Sequence, residues 1–373
     1  MRSLLGFLGI FGLTFAAPRL LNVQVLFRHG DRTPTATIYS DPYQESFWGL
    51  PWGTLTTIGM EQHLTAGYML KKRYIEDLRF INATYSPYEV KVWSALHDRC
   101  LQSAAANFAG FYSDSKYHPS GSGWPKNWTP MPIYTMDPPD YTFEPSQDCP
   151  KAKRLIAQRL ARQEYLDYEQ QHIDIVKEFA SKTGEAWTKW WDIISYLGTL
   201  TCEKAHDLAL PSWVSDSLYN DAKRIRSAIL DYSYGMASLN VAQDDQIIRL
   251  RTGNFLQHLT KILGSDSATY KYTAYSAHDS TIAAVLYALG PKAKLDILGE
   301  GQPEYAATIT FETWLLDDGT IVAQILYAKN PDSTLIPVTH LIPGCLSDFC
   351  NIQAILGQLR KYTVDDSAKE CNS

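Results

Sequence analysis

The feature that most constrains the fold is an apolar run near the start of the chain that ends abruptly in charged side chains. Residues 20–27, LLNVQVLF, have the length and apolar content of a buried β-strand. The chain continues as RHGDRTP, so this strand carries Arg28, His29 and Arg32 to its carboxyl end. Cations crowded at one strand end need an anionic partner, and a carboxylate or a phosphate fits them. The run therefore predicts a buried strand that leads into an anion-binding site.

A second segment of the same design lies near the other end of the chain. Residues 270–276 predict a strand, and His278 and Asp279 follow it before an apolar helical pattern begins. In open α/β sheets, ligands bind beyond the carboxyl ends of the strands. The two strand ends therefore predict one shared site. Arg99, which follows a predicted strand at 89–94, is a third contributor.

Taken singly, both motifs have a structural explanation. An Arg-His pair at a strand end is often structural, and an Asp before Ser-Thr commonly caps a helix. Their occurrence at two matching strand ends favours a functional site. The other histidines are predicted to have packing or surface roles: His63, His97, His118, His172, His206, His258 and His340.

These residue types suit the transfer of a phosphoryl group. Arg28, Arg32 and Arg99 offer planar forks of donors that match phosphate oxygens. A neutral His29 can attack phosphorus to form a covalent phosphoenzyme, and nearby guanidinium groups disfavour its protonation. Asp279 is the candidate general acid, a role that needs a protonated carboxyl and predicts activity at low pH. Positioning and charge stabilisation suffice for this chemistry, so the motifs call for no metal and no other cofactor.

Length and charge limit the class of protein. The 373 residues can bury a large core, and the formal net charge of −6 argues against nucleic acid as a partner. Residues 1–17 have the basic start, apolar stretch and small residues of a secretory signal peptide. A membrane anchor is disfavoured because this apolar stretch is too short to span a bilayer. We therefore expect a secreted, extracellular protein without an anchor.

The cysteines and two sequons agree with export. Asn82 and Asn127 stand in N-glycosylation sequons. The six cysteines allow fifteen pairings, and spacing alone singles out only Cys345 and Cys350 as close enough for a short bridge. No Cys or His cluster has zinc spacing, so we expect no structural metal.

The order of patterns favours an α/β fold with a helical insertion. Strands are predicted at 305–315 and 320–328, joined by a turn at Asp317-Asp318-Gly319. Helices are predicted at 57–74, 98–111, 151–181, 184–198, 213–239 and 253–263. Between about 151 and 240 no strand is predicted, which indicates a helical segment inserted into the α/β domain.

Two motifs resemble those of a known family. RHGDRTP near the start and YSAHDST near the end are similar to the paired signatures of the histidine acid phosphatases, in the branch that contains the prostatic and lysosomal enzymes. The resemblance runs almost the full length after the signal segment. It includes LTTIGMEQH at 55–63, HDR at 97–99, DCP at 148–150 and ALPSW at 209–213.

The resemblance implies a role for each candidate residue. His29 would be the phosphorylated nucleophile, Asp279 would protonate the leaving alcohol, and Asp31 would orient its neighbours. The phosphoryl group would be bound by Arg28, Arg32, Arg99 and His278. The substrates would be phosphate monoesters of small molecules or phosphoproteins.

The resemblance also implies the architecture. The fold would be a three-layer α/β core with a mixed sheet, formed by residues 18–130 and 241–373, with a smaller helical cap at 131–240. Family disulfides would join Cys149 to Cys371 and Cys345 to Cys350.

The sequence departs from the family pattern in informative places. A third family bridge would join Cys202 to the position of Thr308, so this bridge should be absent and Cys100 and Cys202 are left over. Trp93 takes the place where relatives commonly have arginine, which puts the local packing in question. Relatives are homodimers, and the segment 127–135 resembles part of their contact surface. A glycan on Asn127 would obstruct such a dimer.

Other functions are weighed against this one. A phytase-like phosphatase would need a strongly basic pocket, and a chain with a negative net charge gives no indication of one. Phosphoglycerate mutases share an RHG motif, but the signal segment and the AHD motif disfavour them. A secreted non-catalytic binder or antigen on a phosphatase scaffold usually loses a catalytic residue, whereas all the candidates are present here.

Overall fold

A mixed β-sheet lies at the centre of the computed structural model, which describes residues 18–121, 123–126, 128–138, 140–143, 149–265 and 268–373. Its strand order is β3-β2-β4-β1-β5-β6-β7, and β8 also pairs with β6. The strands are β1 (Arg19–Arg28), β2 (Val90–Ser94), β3 (Tyr134–Thr135), β4 (Tyr272–Ala277), β5 (Thr308–Leu315), β6 (Ile321–Ala328), β7 (Ile336–Pro337) and β8 (Cys350–Asn351).

Helices follow most of these strands, and six consecutive helices of the described residues lie between β3 and β4. No helix among the described residues is both long and apolar enough to cross a membrane. The helices are α1 (Glu45–Trp48), α2 (Thr57–Lys71) with a π-helical extension (Lys72–Asp77), α3 (Asp98–Phe111), α4 (Pro150–Leu160), α5 (Gln163–Gln171), α6 (Ile173–Thr183), α7 (Trp190–Ala205), α8 (Asp216–Ser233), α9 (Asp245–Leu263), α10 (Asp279–Leu289), α11 (Pro291–Leu298), α12 (Ile352–Leu359) and α13 (Ser367–Cys371), with 3-10 turns at Thr339–Leu341 and Arg360–Tyr362.

Strand β1 is the axis of the sheet and is buried on both faces. Val25 and Phe27 point to the face covered by α2 and α3, and Leu26 points to the face covered by α9, α10 and α12. Because side chains alternate along a strand, a strand with helices on both sides needs an unbroken apolar run. The predicted three-layer α/β fold with a mixed sheet is confirmed.

Helices α5 to α8 surround a core of their own. Phe179, Trp190, Ile193 and Ile229 are fully buried in it. The boundary predicted for the helical cap, at residue 131, is too early, because Tyr134–Thr135 pairs with β2 at the edge of the central sheet. A two-residue strand has no periodicity of its own, so the sequence pattern could not reveal it.

The single long helix predicted at 151–181 is three helices. Helix α4 ends at Leu160, and Arg162 is extended before α5 begins. No glycine or proline marks these breaks, so local signals for helix ends were missing. The breaks let α5 and α6 bend around the shared core.

Two disulfides and two free thiols account for the six cysteines. Cys149 is bonded to Cys371, and Cys345 to Cys350, as the family resemblance implied. The first bridge ties the start of α4 to α13. Cys100 and Cys202 are free and buried.

Two glycines let the loop after β1 lie directly on the start of α2. A Cβ atom on Gly30 would be 2.4 Å from the carbonyl oxygen of Gly59. A Cβ atom on Gly59 would be 2.2 Å from the carbonyl oxygen of Asp31. Real side chains cannot come so close, so this contact fixes the position of the loop.

The substitution Gly59→Ala tests this contact. We expect it to lower the free energy of unfolding by at least about 2 kcal/mol, because the new methyl group must displace backbone. Gly357→Ala is the matched control, since Gly357 lies in α12 with no atom near its missing Cβ. That variant should gain about 0.5–1 kcal/mol from helix propensity. Urea unfolding of both measures the difference, and equal stability of the two variants would contradict the contact.

Candidate active site

Backbone pairing brings the two histidine motifs together. Strands β1 and β4 are parallel neighbours with Arg28 opposite Ala277. The pairing continues one residue further, because the His29 amide donates to the Ala277 carbonyl at 2.9 Å. The rings of His29 and His278 are therefore neighbours, with centroids 5.5 Å apart.

His29 is buried and oriented. Its Nδ1 atom lies 2.7 Å from the carbonyl oxygen of Gly30. A carbonyl only accepts, so Nδ1 carries the hydrogen and the lone pair is on Nε2. Burial lowers the pKa of His29 well below 6.5, and the charges of Arg28 and His278, then of the other arginines, lower it further. The ring is therefore neutral even in acid.

Arg28 is held on several sides. Its Nη1 donates to the Pro303 carbonyl at 2.7 Å, and its Nη2 lies 3.2 Å from Oδ2 of Asp279. The guanidinium also stacks 4.2 Å from the ring centroid of Tyr305. These contacts hold the Arg28 guanidinium in one orientation in the site.

Arg32 and Arg99 complete the set of cations. Arg32 donates to the carbonyl of Thr33 at 2.9 Å. Arg99 is the second residue of α3, and its charge lowers the pKa of His29, so it acts on the same ring. The start of α3 lies at this edge of the sheet because β2, the strand before it, runs parallel to β4 and ends at the same edge. The three predicted arginines thus belong to one site.

Asp279 is the first residue of α10 and is partly open to solvent. Burial raises the pKa of its carboxyl, but Arg28, Arg226 and His278 lower it, to about 2. The carboxyl is therefore ionised in the empty site throughout the mildly acidic range. A proton-donor role consequently requires that it gain a proton when substrate binds.

The Asp31 carboxylate links the RHGDRTP motif to two other parts of the chain. Its buried carboxylate accepts hydrogen bonds from the Thr56 hydroxyl and from Nε2 of His206, both at 2.6 Å. His206 ends α7 and packs edge-on against Trp48. The sequence analysis assigned His206 to packing or the surface, and no local signal distinguishes it. The bond joins the helical segment to the RHGDR loop.

His63 contacts the start of the same loop through a backbone carbonyl. It is fully buried, and its Nε2 donates to the Arg28 carbonyl at 3.0 Å. Burial lowers its pKa to about 4, although the bond to that carbonyl opposes the shift. His63 was predicted to have a packing role, and it has one that also fixes the end of β1.

Both free thiols contact side chains of this site. Cys202 lies 3.4 Å from Nη1 of Arg32 and 3.4 Å from the hydroxyl of Tyr305. Cys100 lies 3.8 Å from Nε2 of His278. The family resemblance left both cysteines without an assigned bridge, and only the fold shows that they are free and places them here. Tyr305 was not anticipated, because a tyrosine in a loop carries no signal of its own.

A cavity of ≈ 910 Å³ opens in front of Arg28, Arg32 and Asp279. Helices α7 and α8 form one wall, and the loops at 300–305 and 330–332 form another. Within the described ranges, no group of three or more His, Cys, Asp or Glu side chains could hold a metal ion. The site opens into a roomy pocket whose lining contains both cations and carboxylates.

The remaining sequence predictions fall outside the site. Asn82 is exposed in a loop, whereas Asn127 and the signal segment 1–17 lie outside the described residues. Trp93 packs against Tyr134 at the sheet edge, with ring centroids 5.6 Å apart. Its replacement of an arginine therefore leaves a packed aromatic pair.

The chain belongs to branch 2 of the histidine phosphatase superfamily, whose family model matches residues 19–327. Similar proteins include the lysosomal acid phosphatase of Homo sapiens, 30% identical over 357 residues that cover 94% of this chain and 79% of the relative. The prostatic acid phosphatase of Mus musculus is 29% identical over 385 residues, covering 98% and 93%. These relationships support a phosphatase activity.

Solved structures show the same fold. The phytase of Citrobacter braakii superposes with a TM-score of 0.69 and covers 95% of this chain and 99% of its own, at 15% identity. A phytase of Hafnia alvei gives the same TM-score and identity. At such a low identity, the superposition shows a common fold and does not indicate the substrate.

The bond between His206 and Asp31 is testable. We expect His206→Ala to lower the free energy of unfolding by about 1–3 kcal/mol, because a buried carboxylate loses a charge-assisted partner. The loosened RHGDR loop should also lower kcat/KM by about tenfold or more. Urea unfolding and steady-state kinetics measure the two effects.

His340→Ala is the matched control. His340 likewise faces an aspartate, Asp348, but the two side chains are 3.5 Å apart and both are about half exposed. Such surface pairs contribute about 0–1 kcal/mol. A loss in His206→Ala no larger than that in His340→Ala would contradict the role of His206.

Proposed function

We propose that the chain is an exported acid phosphatase that hydrolyses phosphate monoesters through a covalent phosphohistidine, without a metal. The observation that carries this proposal is the state of His29. Its ring is neutral, its Nδ1 hydrogen is tied to Gly30, and its Nε2 lone pair stands among three arginines. An uncharged nucleophile surrounded by cations is what attack on a phosphate anion requires.

In the first step, Nε2 of His29 attacks phosphorus as the bond from phosphorus to the ester oxygen breaks. Arg28, Arg32 and Arg99, with His278, bind the non-bridging oxygens and stabilise their charge. The leaving oxygen takes a proton from Asp279 and departs as an alcohol. Asp31 takes no part in the chemistry and holds the loop through Thr56 and His206.

The proton on Asp279 arrives with the substrate. Bound phosphate shares Arg28 with Asp279, so the carboxylate loses part of the attraction that holds its pKa near 2. The negative charge of the phosphate also raises that pKa. Below about pH 6 a phosphomonoester carries one proton of its own, which can pass to the carboxylate. This accounts for activity at acidic pH despite an ionised Asp279 in the free enzyme.

The second step is hydrolysis of the phosphohistidine. Asp279, now ionised again, takes a proton from a water molecule that attacks phosphorus. The nitrogen–phosphorus bond breaks, phosphate is formed and His29 returns to its neutral state. One carboxyl thus serves as acid and then as base.

The deciding experiment is hydrolysis of p-nitrophenyl phosphate with EDTA present. The wild type should turn over, and kcat/KM should persist well below pH 6.5 because a lowered pKa keeps His29 neutral until the pH falls through it. His29→Ala should lose essentially all activity and trap no acid-labile phosphoenzyme. An active His29→Ala would overturn the proposal. Inactivity of a folded wild type would favour a non-catalytic binder.

A second experiment examines Asp279. We expect Asp279→Ala to lower kcat about 100-fold or more for alkyl phosphates, since poor leaving groups need protonation. The loss should be much smaller for p-nitrophenyl phosphate, whose phenolate leaves without help. Equal losses for the two substrates would contradict the proton-donor role. His340→Ala, a substitution at the surface, is the control for effects of preparing and assaying a variant.

The cavity favours simple monoesters over a densely charged inositol phosphate. Its loop wall carries Glu300, Glu304 and Asp332, which oppose a ligand with negative charge on every side. The phytase alternative would need cations there. Comparing phytate with p-nitrophenyl phosphate in the assay above distinguishes the two substrate classes.

A further inference from the structure

Beyond the phosphate-binding residues, helix α8 turns a cationic face toward the cavity. Tyr219, Lys223 and Arg226 line it, spaced by one turn each along the helix. The opposite face of α8 is buried through Ala222, Ile225 and Ile229 in the helical core, which holds the helix in place. The orientation of this cationic face is therefore set by packing.

Arg226 differs from Lys204 and Arg224 in its partners. Its Nε donates to the Ile194 carbonyl at 3.3 Å, and no carboxylate of the described residues lies within ion-pair distance of it. By contrast, Lys204 pairs with Asp216 at 2.8 Å. Arg224 is exposed and lies 3.6 Å from Asp221. The Nη groups of Arg226 are thus half-buried donors without a carboxylate in direct contact among the described residues.

The position of Arg226 relates it to the leaving group. Arg226 and Asp279 line the same cavity, and the charge of Arg226 lowers the pKa of the Asp279 carboxyl, second only to that of Arg28. Asp279 is the residue that faces the leaving oxygen in the proposed mechanism. A substituent on the leaving alcohol, rather than the transferred phosphoryl group, would therefore lie beside Arg226.

The charges of the cavity are divided between its walls. Arg226 lies on α8 with Lys223 and Arg224, whereas Glu300 and Asp332 lie on loops that also line the cavity. Glu304, on the same loop wall, is already paired with Lys329 at 2.9 Å. A compact anion next to Arg226 is therefore favoured, and a ligand with anions on all sides is not.

We propose that Arg226 is a second anion-binding site, which selects phosphate monoesters whose leaving alcohol carries one further anionic group a few bonds from the ester oxygen. This rests on the proposed phosphatase function and names its substrate class. The guanidinium offers a carboxylate or a second phosphate two parallel hydrogen bonds. In the free protein the guanidinium donates to a backbone carbonyl and contacts no carboxylate of the described residues, so the ligand supplies a counter-charge in direct contact.

The test compares 3-phosphoglycerate with glycerol 3-phosphate, which differ by a carboxylate in place of a hydroxymethyl group. The wild type should prefer 3-phosphoglycerate in kcat/KM by about tenfold or more, the effect of one charge-assisted hydrogen-bonded pair. Arg226→Gln should bring this ratio close to one, and Arg226→Lys should retain part of it. The preference should also shrink as salt is added.

Arg224→Gln is the matched control, two residues along the same helix and already facing Asp221. It should keep the ratio within about twofold, because it removes the same charge from the wall without removing the contact. A wild-type ratio near one, or a ratio that survives in Arg226→Gln, overturns the proposal. An equal fall in Arg224→Gln also overturns it, because the general field of the wall would then be responsible.

Failure of this proposal is distinguishable from failure of the phosphatase assignment. If p-nitrophenyl phosphate is hydrolysed through His29 but the two glycerol compounds are treated alike, only the second anion-binding site is wrong. If p-nitrophenyl phosphate is not hydrolysed at all, the phosphatase assignment itself fails. Thermal unfolding of Arg226→Gln and Arg226→Lys verifies that both variants are folded.

Discussion

The site depends on the parallel pairing of β1 with β4. This ladder places Arg28 opposite Ala277 and continues into the hydrogen bond from the His29 amide to the Ala277 carbonyl. Neighbouring strands are about 4.8 Å apart, so residues that follow paired strand ends must lie close together. Strand β2 pairs with β4 in the same direction and brings the start of α3 to the same edge. Residues from three distant parts of the chain thus meet through backbone geometry alone.

Burial and charge then give these residues their chemistry. A buried imidazole beside guanidinium groups stays neutral, which suits a nucleophile in acid. The same cations need counter-charges while the site is empty, and Asp279 supplies one to Arg28. In the proposed mechanism, an incoming phosphate competes for Arg28 and thereby releases Asp279 to accept a proton. The ion pair of the resting site is in this way coupled to the acid–base step.

The helical segment between β3 and β4 completes the site. It contributes His206 to the buried carboxylate of Asp31, Cys202 to the surroundings of Arg32, and Arg226 to the wall of the cavity. Each of these side chains reaches the site because α7 and α8 bury their opposite faces in a separate core. The residues proposed to bind phosphate come from the sheet edge, whereas much of the cavity wall comes from this segment.

The sequence by itself determined the α/β class, the strands that carry the two motifs and the candidate residues around His29 and Asp279. An unbroken apolar run and a strand end with charged side chains are local patterns, and they report burial directly. Only the tertiary structure decided that β3 belongs to the sheet, that residues 151–181 form three helices, and that His206, Tyr305 and Arg226 face the site. Periodicity states which side of an element is buried but not which partner buries it, because that partner is set by packing between residues far apart in the chain.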